Sequence, residues 1–289
     1  MTEIKYYKKP KIGGVSGRFG VGILYGSKVA FAVRLNNGEI QVFSQIIPPP
    51  KWKIFRLPFI RSLMVFRQIF LVFQLSRTNL RKLSKQGLID LQIKKRIFHA
   101  LIFLSIYIGS FYFLLPYIFQ SNYIIQIVLY IVLFIIFIQL FFYLIMGAQC
   151  LKYHGAEHKV INTFFDHKSL TLENAQQHSR LAFRCGTTLA AFLIVLSAII
   201  PDSAYETVAR LCGSFGCELL LFIFILGTAY ELIEIFSRPS ISSKCNSFLS
   251  PISKLQYLTT REPSIAELEV ALAAIQEAVG WWDRPLVFL

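Results

Sequence analysis

Residues 97–119 read IFHALIFLSIYIGSFYFLLPYIF, an uncharged and strongly apolar stretch that decides how the chain is interpreted. As a helix, such a stretch is long enough to cross about 30 Å of bilayer hydrocarbon. A second apolar run, 123–146, follows the short turn at 120–122. The two runs predict a transmembrane helical hairpin, which follows a basic cluster made of Arg77, Arg81, Lys82, Lys85, Lys94, Lys95 and Arg96.

Two further apolar runs, 187–200 and 219–236, predict a third and a fourth transmembrane helix. The composition agrees, because 55% of the 289 residues are hydrophobic, 16% are charged and the mean hydropathy is +0.54. These values exclude a disordered chain and an ordinary soluble domain. The predicted fold class is therefore mainly α: a polytopic helical membrane protein with about four transmembrane helices, an N-terminal β-hairpin segment and a C-terminal amphipathic helix.

The basic residues are concentrated in the N-terminal third of the chain. The net charge is +14, and residues 1–96 hold 19 of the 30 Lys and Arg residues but only three acidic ones. The turn at 120–122 has no basic residue, and the connection 201–216 has only Arg210. Because cytoplasmic loops are enriched in Lys and Arg, both termini and segment 147–184 are predicted to lie in the cytoplasm or the plastid stroma.

Three shorter patterns complete the predicted organisation. Alternating apolar residues over 28–47, interrupted by Asn37-Gly38, predict a β-hairpin. Residues 54–75 are apolar but contain three arginines, which favours an interfacial or re-entrant helix over a full span. Residues 265–279 have an apolar stripe, and Ser264 with Glu267 forms a predicted capping box at the start of that helix.

These patterns divide the chain into six predicted segments. They are a glycine-rich β-hairpin segment (1–50), a basic interfacial or re-entrant helix region (51–96), a transmembrane hairpin (97–146), a cytoplasmic-face segment containing the sequence HGAEH (147–186), transmembrane helices 3 and 4 (187–236), and a cytoplasmic C-terminal helix (237–289).

The motif that carries the most chemical information is His154-Gly155-Ala156-Glu157-His158. On a helix, His154 and His158 are four residues apart and project from one face, a spacing that suits two ligands of one Zn²⁺ ion. Glu157 is then the predicted catalytic residue, since a carboxylate beside the metal can act on a water molecule. The competing interpretation is a polar segment that is hydrogen-bonded at the membrane surface, and Gly155 weakens the helix assumption by about 1 kcal/mol.

A zinc site needs a third protein ligand, and Glu231 is the first candidate. It lies with Glu234 in the last two turns of the fourth predicted span, on the membrane face predicted for the histidines. The two carboxylates could instead pair with Arg184 or Arg238, because intramembrane charges need a partner or a metal. His178 and Cys185 are the alternative ligands.

Cys185 directly follows Arg184 at the start of the third apolar run. An arginine beside a cysteine at a helix start can lower the thiol pKa and make the residue reactive. A small buried cysteine flanked by an anchoring arginine explains the same pattern. The chain has five cysteines, an odd number without regular spacing, and reduced thiols are therefore predicted.

A set of ordered motifs resembles the YqhQ-like family of bacterial membrane proteins over nearly the whole chain. The motifs are Gly13-Gly14, 30–34 (AFAVR), 153–159 (YHGAEHK), 179–181 (SRL), 184–187 (RCGT), 230–232 (YEL) and 258–263 (LTTREP). The resemblance implies a predicted metal-dependent enzyme with plastid relatives. This chain departs from the family pattern at Ala182-Phe183, where the family has His-Pro, and at Phe19, where it has Glu. If the missing histidine is a ligand, metal binding is weakened.

Two functions follow as hypotheses. The first is an integral membrane protein with a divalent-metal site, zinc being the expected ion, that catalyses metal-dependent hydrolysis. The second is a non-catalytic membrane scaffold or assembly factor that binds anionic lipid or a protein partner, including a second copy of itself. Nucleic acid is not an expected partner, because the basic residues flank apolar segments. The abundance of Phe, Ile and Lys points to a low-GC bacterium or a plastid, so a membrane of either is the predicted location.

Overall fold

A computed structural model describes residues 12–48, 53–120, 147–166, 168–237 and 246–280, together with the isolated positions 129, 133 and 136. The predicted second span, 123–146, therefore lies almost entirely outside the described residues. The first half of the sequence forms strands β1 (Ile12–Ser16), β2 (Gly20–Tyr25), β3 (Lys28–Arg34) and β4 (Ile40–Ile46), followed by helices α1 (Leu63–Lys85) and α2 (Ile93–Gln120).

The second half contributes helices α3 (Ala148–Phe165), α4 (Leu172–Gln177), α5 (Gly186–Ile199), α6 (Asp202–Phe236), α7 (Asn246–Lys254) and α8 (Ile265–Val279). Short 3₁₀ turns lie at Lys53–Arg56, Ile60–Ser62 and Leu255–Leu258. Helix α6 is broken at Gly213, where φ is 74° and ψ is 164°, so it consists of two helical pieces.

The four strands form one antiparallel sheet in the order β1-β2-β3-β4. The predicted hairpin is present as β3 and β4, with Arg34 opposite Ile40 across the turn. Only Gly38 in that turn has a positive φ, 91°, whereas the type I′ turn that Asn-Gly favours needs a positive φ at both central residues. The glycine-rich stretch before it, which had no strand pattern, supplies β1 and β2.

Both faces of the sheet are covered by helices. The side chains of β3 show this, because successive residues pack into different core clusters. Ala30 and Ala32 face a core cluster formed with α3 and α8, whereas Phe31 and Val33 face a second cluster that includes Leu83 of α1. A strand turns successive side chains to opposite faces, so β3 is buried on both sides. Helices therefore form a layer on each side of the sheet.

The predicted fold class of a four-span helical membrane protein is wrong. The structure contains a four-stranded sheet, and among the described residues only Phe215–Phe236, the second piece of α6, is long and apolar enough to cross a membrane. Helix α5 has 14 residues and extends about 21 Å, which is shorter than the hydrocarbon core. Among the described residues, the shorter apolar helical stretches are Ile97–Gly109 in α2 and Gly186–Ser197 in α5.

The correction has a physical cause. Hydropathy measures how apolar a segment is, but it does not distinguish a segment that faces lipid from one that faces a protein core or is too short to span. The predicted placement of both termini in the cytoplasm depended on four spans and therefore loses its basis. The six-segment division stays a prediction.

Candidate metal site

Helix α3 carries the HGAEH sequence, and its glycine has a structural reason. A Cβ atom at Gly155 would lie 2.1 Å from the backbone oxygen of Arg261, so only glycine allows this close approach. The backbone N–H of Arg261 donates to the oxygen of Leu151 at 2.9 Å. The segment that follows the Leu255–Leu258 turn is therefore held against α3, which offsets the low helix propensity of glycine.

The two histidines project from one face of α3, as their four-residue spacing predicts, and their ring centroids are 4.4 Å apart. Nδ1 of His154 lies 2.8 Å from the backbone oxygen of Thr259, and Nδ1 of His158 lies 2.6 Å from that of Arg180. Because a carbonyl oxygen can only accept, each Nδ1 is assigned the proton and donates it. In the neutral form of each ring, Nε2 then keeps its lone pair, the arrangement found in metal-binding histidines.

Cys185 supplies the third atom of the cluster. It is the residue before α5, and its Sγ lies 3.4 Å from Nε2 of His154 and accepts from the N–H of Thr187 at 3.4 Å. His154, His158 and Cys185 each offer one ligand atom, and these three atoms lie within 4.8 Å of one another. This group could hold a metal ion.

The loop before Cys185 is held in place by a buried glutamine. The side-chain oxygen of Gln256 accepts from the N–H of Ala182 at 2.9 Å, and its amide nitrogen donates to the Ala182 oxygen at 2.6 Å. Asn162 of α3 also donates to the oxygens of Ser179 and Leu181, at 2.8 and 3.0 Å. These side-chain amides replace the backbone partners that a loop lacks.

The charges in the cluster are coupled. Burial alone raises the pKa of Cys185, but the imidazoles of His158 and His154 outweigh it and bring that pKa well below its usual value. Burial alone lowers the pKa of His154, but the Cys185 thiolate and Glu157 raise it to about 9. By themselves, these side chains favour a Cys185 thiolate beside a His154 imidazolium. The thiolate is the form of cysteine that binds metals, and a metal ion would displace the Nε2 proton of His154.

Glu157 is buried beside this group, although it is not one of the three clustered residues. Its carboxylate lies against Gly14 of β1, and its Oε2 has no hydrogen-bond partner among the described residues. Burial raises the pKa of its carboxyl above the usual range, while the two histidines oppose that shift. A buried oxygen without a partner costs free energy, and a catalytic role or a bound ion is one explanation for it.

The structure places the other candidate residues outside the cluster. Oε1 of Glu231 accepts from Nε of Arg61 at 2.7 Å and from the N–H of Phe59 at 3.2 Å. Glu234 pairs with Arg184, 3.7 Å apart, which is one of the two pairings that the sequence left open.

His178 is also held elsewhere, because its Nε2 lies 3.0 Å from Asp166 and its Nδ1 lies 2.6 Å from the Asn174 oxygen.

Sequence reasoning missed Gln256 and the two carbonyl groups that orient the histidines. A buried glutamine in a short 3₁₀ turn has no motif, and backbone oxygens are the same in every residue. In the sequence, the stretch 258–263 stands out only through the family resemblance. In the structure it places the Thr259 oxygen 2.8 Å from Nδ1 of His154 and the Arg261 oxygen against Gly155.

The fold and the site together define a class of protein. It has an antiparallel sheet covered by helices on both faces and a largely buried His-His-Cys group that could hold a metal. Among the described residues, one helix is long and apolar enough to cross a membrane. The family described as "Protein of unknown function (DUF1385)" matches residues 57–281, and the chain belongs to that family. "Uncharacterized protein YqhQ" of Bacillus subtilis (strain 168) is 30% identical over 131 residues. The predicted YqhQ-like relationship is thus confirmed.

That alignment covers 44% of this chain and 39% of the Bacillus protein, so the chain spans less than half the length of this relative. No solved structure matches the chain with statistical significance.

Proposed function

We propose that the protein binds one zinc ion through Nε2 of His154, Nε2 of His158 and Sγ of Cys185, and that it is a metal-dependent hydrolase. The observation that carries the proposal is the convergence of these three donor atoms within 4.8 Å. Cys185 thereby takes the place of Glu231 in the ligand set expected from the sequence.

The donor chemistry favours zinc over the common alternatives. Two imidazole nitrogens and one thiolate suit Zn²⁺, whereas Mg²⁺ and Ca²⁺ require oxygen ligands. Three protein ligands with a fourth position left for water or substrate is the usual composition of a catalytic zinc site. Both histidines also have the carbonyl partner on Nδ1 that orients a metal-binding imidazole.

Glu157 is the proposed general base and acid. It precedes His158 directly, it is buried, and its Oε2 is without a hydrogen-bond partner among the described residues, so it is available to accept a proton. A bound zinc ion would supply the Lewis acid that activates water and the substrate. Gly14 and the burial of the carboxylate restrict its position and exclude bulk water from it.

A cysteine nucleophile with His154 as its base is the competing chemistry, because the Sγ–Nε2 distance of 3.4 Å also fits such a pair. A pair of that kind needs one imidazole, however, and here the sulfur lies beside two. The second imidazole, with its own carbonyl partner, favours a ligand set.

We further propose that Phe215–Phe236 attaches the protein to a bacterial cytoplasmic membrane or a plastid membrane, with the metal site at the membrane surface. Arg184, the neighbour of Cys185, pairs with Glu234 near the end of that helix. A site tied to the end of a spanning helix lies close to the lipid headgroups.

Elemental analysis of the purified full chain tests the zinc site. We expect about one zinc ion per chain after expression with added zinc, and a loss of zinc in His154→Ala, His158→Ala and Cys185→Ala. His178→Ala and Glu231→Gln are the matched controls, because both residues have partners outside the cluster and should leave the zinc content unchanged. Wild-type protein without metal from zinc-replete cells would contradict the proposal.

Glu157→Gln separates catalysis from binding. This variant should retain zinc and lose hydrolytic activity, because the amide cannot accept the proton. If Glu157→Gln retains zinc and also replaces the wild-type protein in the organism, the metal site is structural and the non-catalytic scaffold is the correct function.

A further inference from the structure

We propose that the outer face of α1 binds the surface of an anionic lipid bilayer. This face is defined by an apolar half, formed by Phe66, Ile69, Phe70 and Phe73, and a basic half, formed by Arg77, Arg81, Lys82 and Lys85. The inference is independent of the metal site.

The two sides of α1 differ in what covers them. The inner side packs on the sheet, with Val72 against Gly22 of β2 and Leu83 in the cluster around Phe31. On the outer side, Phe70 is 62% and Phe73 57% exposed, and no described element covers them. Large aromatic side chains that share an open face mark a surface for lipid or another molecule.

The spacing places the apolar residues in one continuous stripe. Phe66, Phe70 and Phe73 are separated by four and three residues, so they are neighbours on the helix surface. The stripe continues into the basic half, where Arg77 and Arg81 follow at the same spacing. Because the two halves follow one another along the helix, α1 would meet the bilayer at a tilt, with the apolar residues among the acyl chains and the cations beside the headgroups.

The charge of α1 identifies the kind of lipid. The helix carries five basic residues, Arg67 among them, and no acidic residue anywhere in Leu63–Lys85. Clusters of Lys and Arg at a membrane surface are attracted to anionic headgroups. A second copy of the chain would bring an identical basic helix against this one, and like charges repel.

The position of α1 relative to the candidate membrane helix supports a lipid occupant. The 3₁₀ turn Ile60–Ser62, which leads directly into α1, is fixed to that helix by the ion pair of Arg61 with Glu231. Just before the turn, the Phe59 ring stacks on Phe224 with centroids 6.1 Å apart. The apolar half of the outer face thus begins beside the central and C-terminal part of the helix proposed to cross the membrane.

Quenching of an introduced tryptophan by lipids with brominated acyl chains tests the proposal in the full chain. The three native tryptophans, Trp52, Trp281 and Trp282, are replaced by Phe, and the chain is reconstituted in nanodiscs. Phe70→Trp reports on the outer face of α1. Ile265→Trp is the matched control, because Ile265 is 53% exposed and begins α8, on the opposite side of the sheet.

We expect strong quenching of the tryptophan at position 70 and little at position 265 when the nanodiscs contain phosphatidylglycerol. The double variant Arg77→Glu, Arg81→Glu should lose most of this quenching. The double variant Lys168→Glu, Arg261→Glu changes the net charge equally on exposed residues elsewhere, so it should keep the quenching.

Two results would overturn the proposal. If position 70 is quenched no more than position 265, the outer face of α1 does not meet the bilayer; a dimer detected by light scattering would then make a second copy the occupant. If quenching is equal with pure phosphatidylcholine and is insensitive to the Arg77 and Arg81 reversals, the face is not selective for anionic lipid.

Discussion

Gly14 and Gly155 are two positions at which the environment of the HGAEH sequence requires the absence of a side chain. Gly155 lets α3 approach the backbone of Arg261, and Gly14 leaves room for the carboxylate of Glu157. Neither glycine has a positive φ, so the requirement comes from neighbouring atoms and not from backbone conformation. From the sequence alone, Gly155 lowers the helix propensity of its segment, and Gly14 is one of five glycines in residues 13–22 with no distinguishing feature.

Gly14→Ala tests how tightly Glu157 is enclosed. The new Cβ would lie 2.4 Å from Oε1 of Glu157, so the carboxylate or β1 must move. We expect the free energy of unfolding to fall by about 1–3 kcal/mol, as for other overpacked sites, together with a loss of the proposed hydrolytic activity.

Urea unfolding followed by circular dichroism measures this change. Gly13→Ala is the control, since no atom lies within 4 Å of a Cβ at that position, and its effect should stay within about 0.5 kcal/mol. Equal effects of the two substitutions would show that Glu157 has room to move.

At the scale of elements, α8 is the helix whose start was best predicted. The capping box of Ser264 and Glu267 is confirmed, and the Ser264 N–H donates to Glu267 at 2.6 Å. Gly280 ends the helix in a left-handed conformation with φ 74°. Glu267 also accepts from the side chain of Gln149 at 2.5 Å, which joins the start of α8 to the first turn of α3.

Glu267→Gln should destabilise the protein in a pH-dependent way. Burial raises the pKa of Glu267, but hydrogen bonds from Ser264 and Gln149 outweigh it and hold that pKa below the usual 4.5. A lowered folded-state pKa means that the stabilisation is present above pH 4.5 and is lost as the pH falls through the folded-state value. At pH 7 we expect a loss of about 1 kcal/mol.

Denaturant unfolding at pH 7 and at pH values below 4.5 measures this effect, and the difference between variant and wild type should shrink with acidity. Glu173→Gln replaces an exposed carboxylate in the first turn of α4 and serves as the control, with little change at either pH. A loss that is independent of pH would mean that the charge of Glu267 contributes nothing.

At the scale of the whole molecule, helices from both halves of the chain pack on the sheet. One face packs on α3 and α8, the other on α1, and Val21, Ile23 and Val33 are completely buried. All four strands lie before residue 57, where the family match begins. The matched region therefore cannot bury its own apolar faces without the N-terminal strands.

A fragment of residues 57–281 should not fold. Removing the sheet exposes the apolar sides of α1, α3 and α8, and the lost burial at about 25 cal/mol per Å² exceeds the net stability of a typical domain. The expected signs are aggregation or loss of cooperative thermal unfolding, with no stoichiometric zinc. The full chain purified in parallel is the control, and a fragment that unfolds cooperatively would refute the expectation.

The sequence by itself determined the features that depend on local spacing. The i and i+4 histidines on one helix face, the β3–β4 hairpin, the α8 capping box and the family relationship all follow from residues close together in the chain. Hydropathy also located the one helix among the described residues that is long and apolar enough to cross a membrane. Of the other three predicted spans, one lies almost entirely outside the described residues and the other two are not supported.

Only the tertiary structure decided which distant residues meet. It brings Cys185 to the histidines and takes Glu231 to Arg61, a choice that residue types could not make because carboxylate and thiolate both suit zinc. It also shows β1 and β2, whose glycines hide the alternating pattern of a strand. The physical reason is the same in both cases. The sequence specifies the chemistry of each side chain, but the contacts that select one possible ligand over another, or pair one strand with another, form only when the backbone folds.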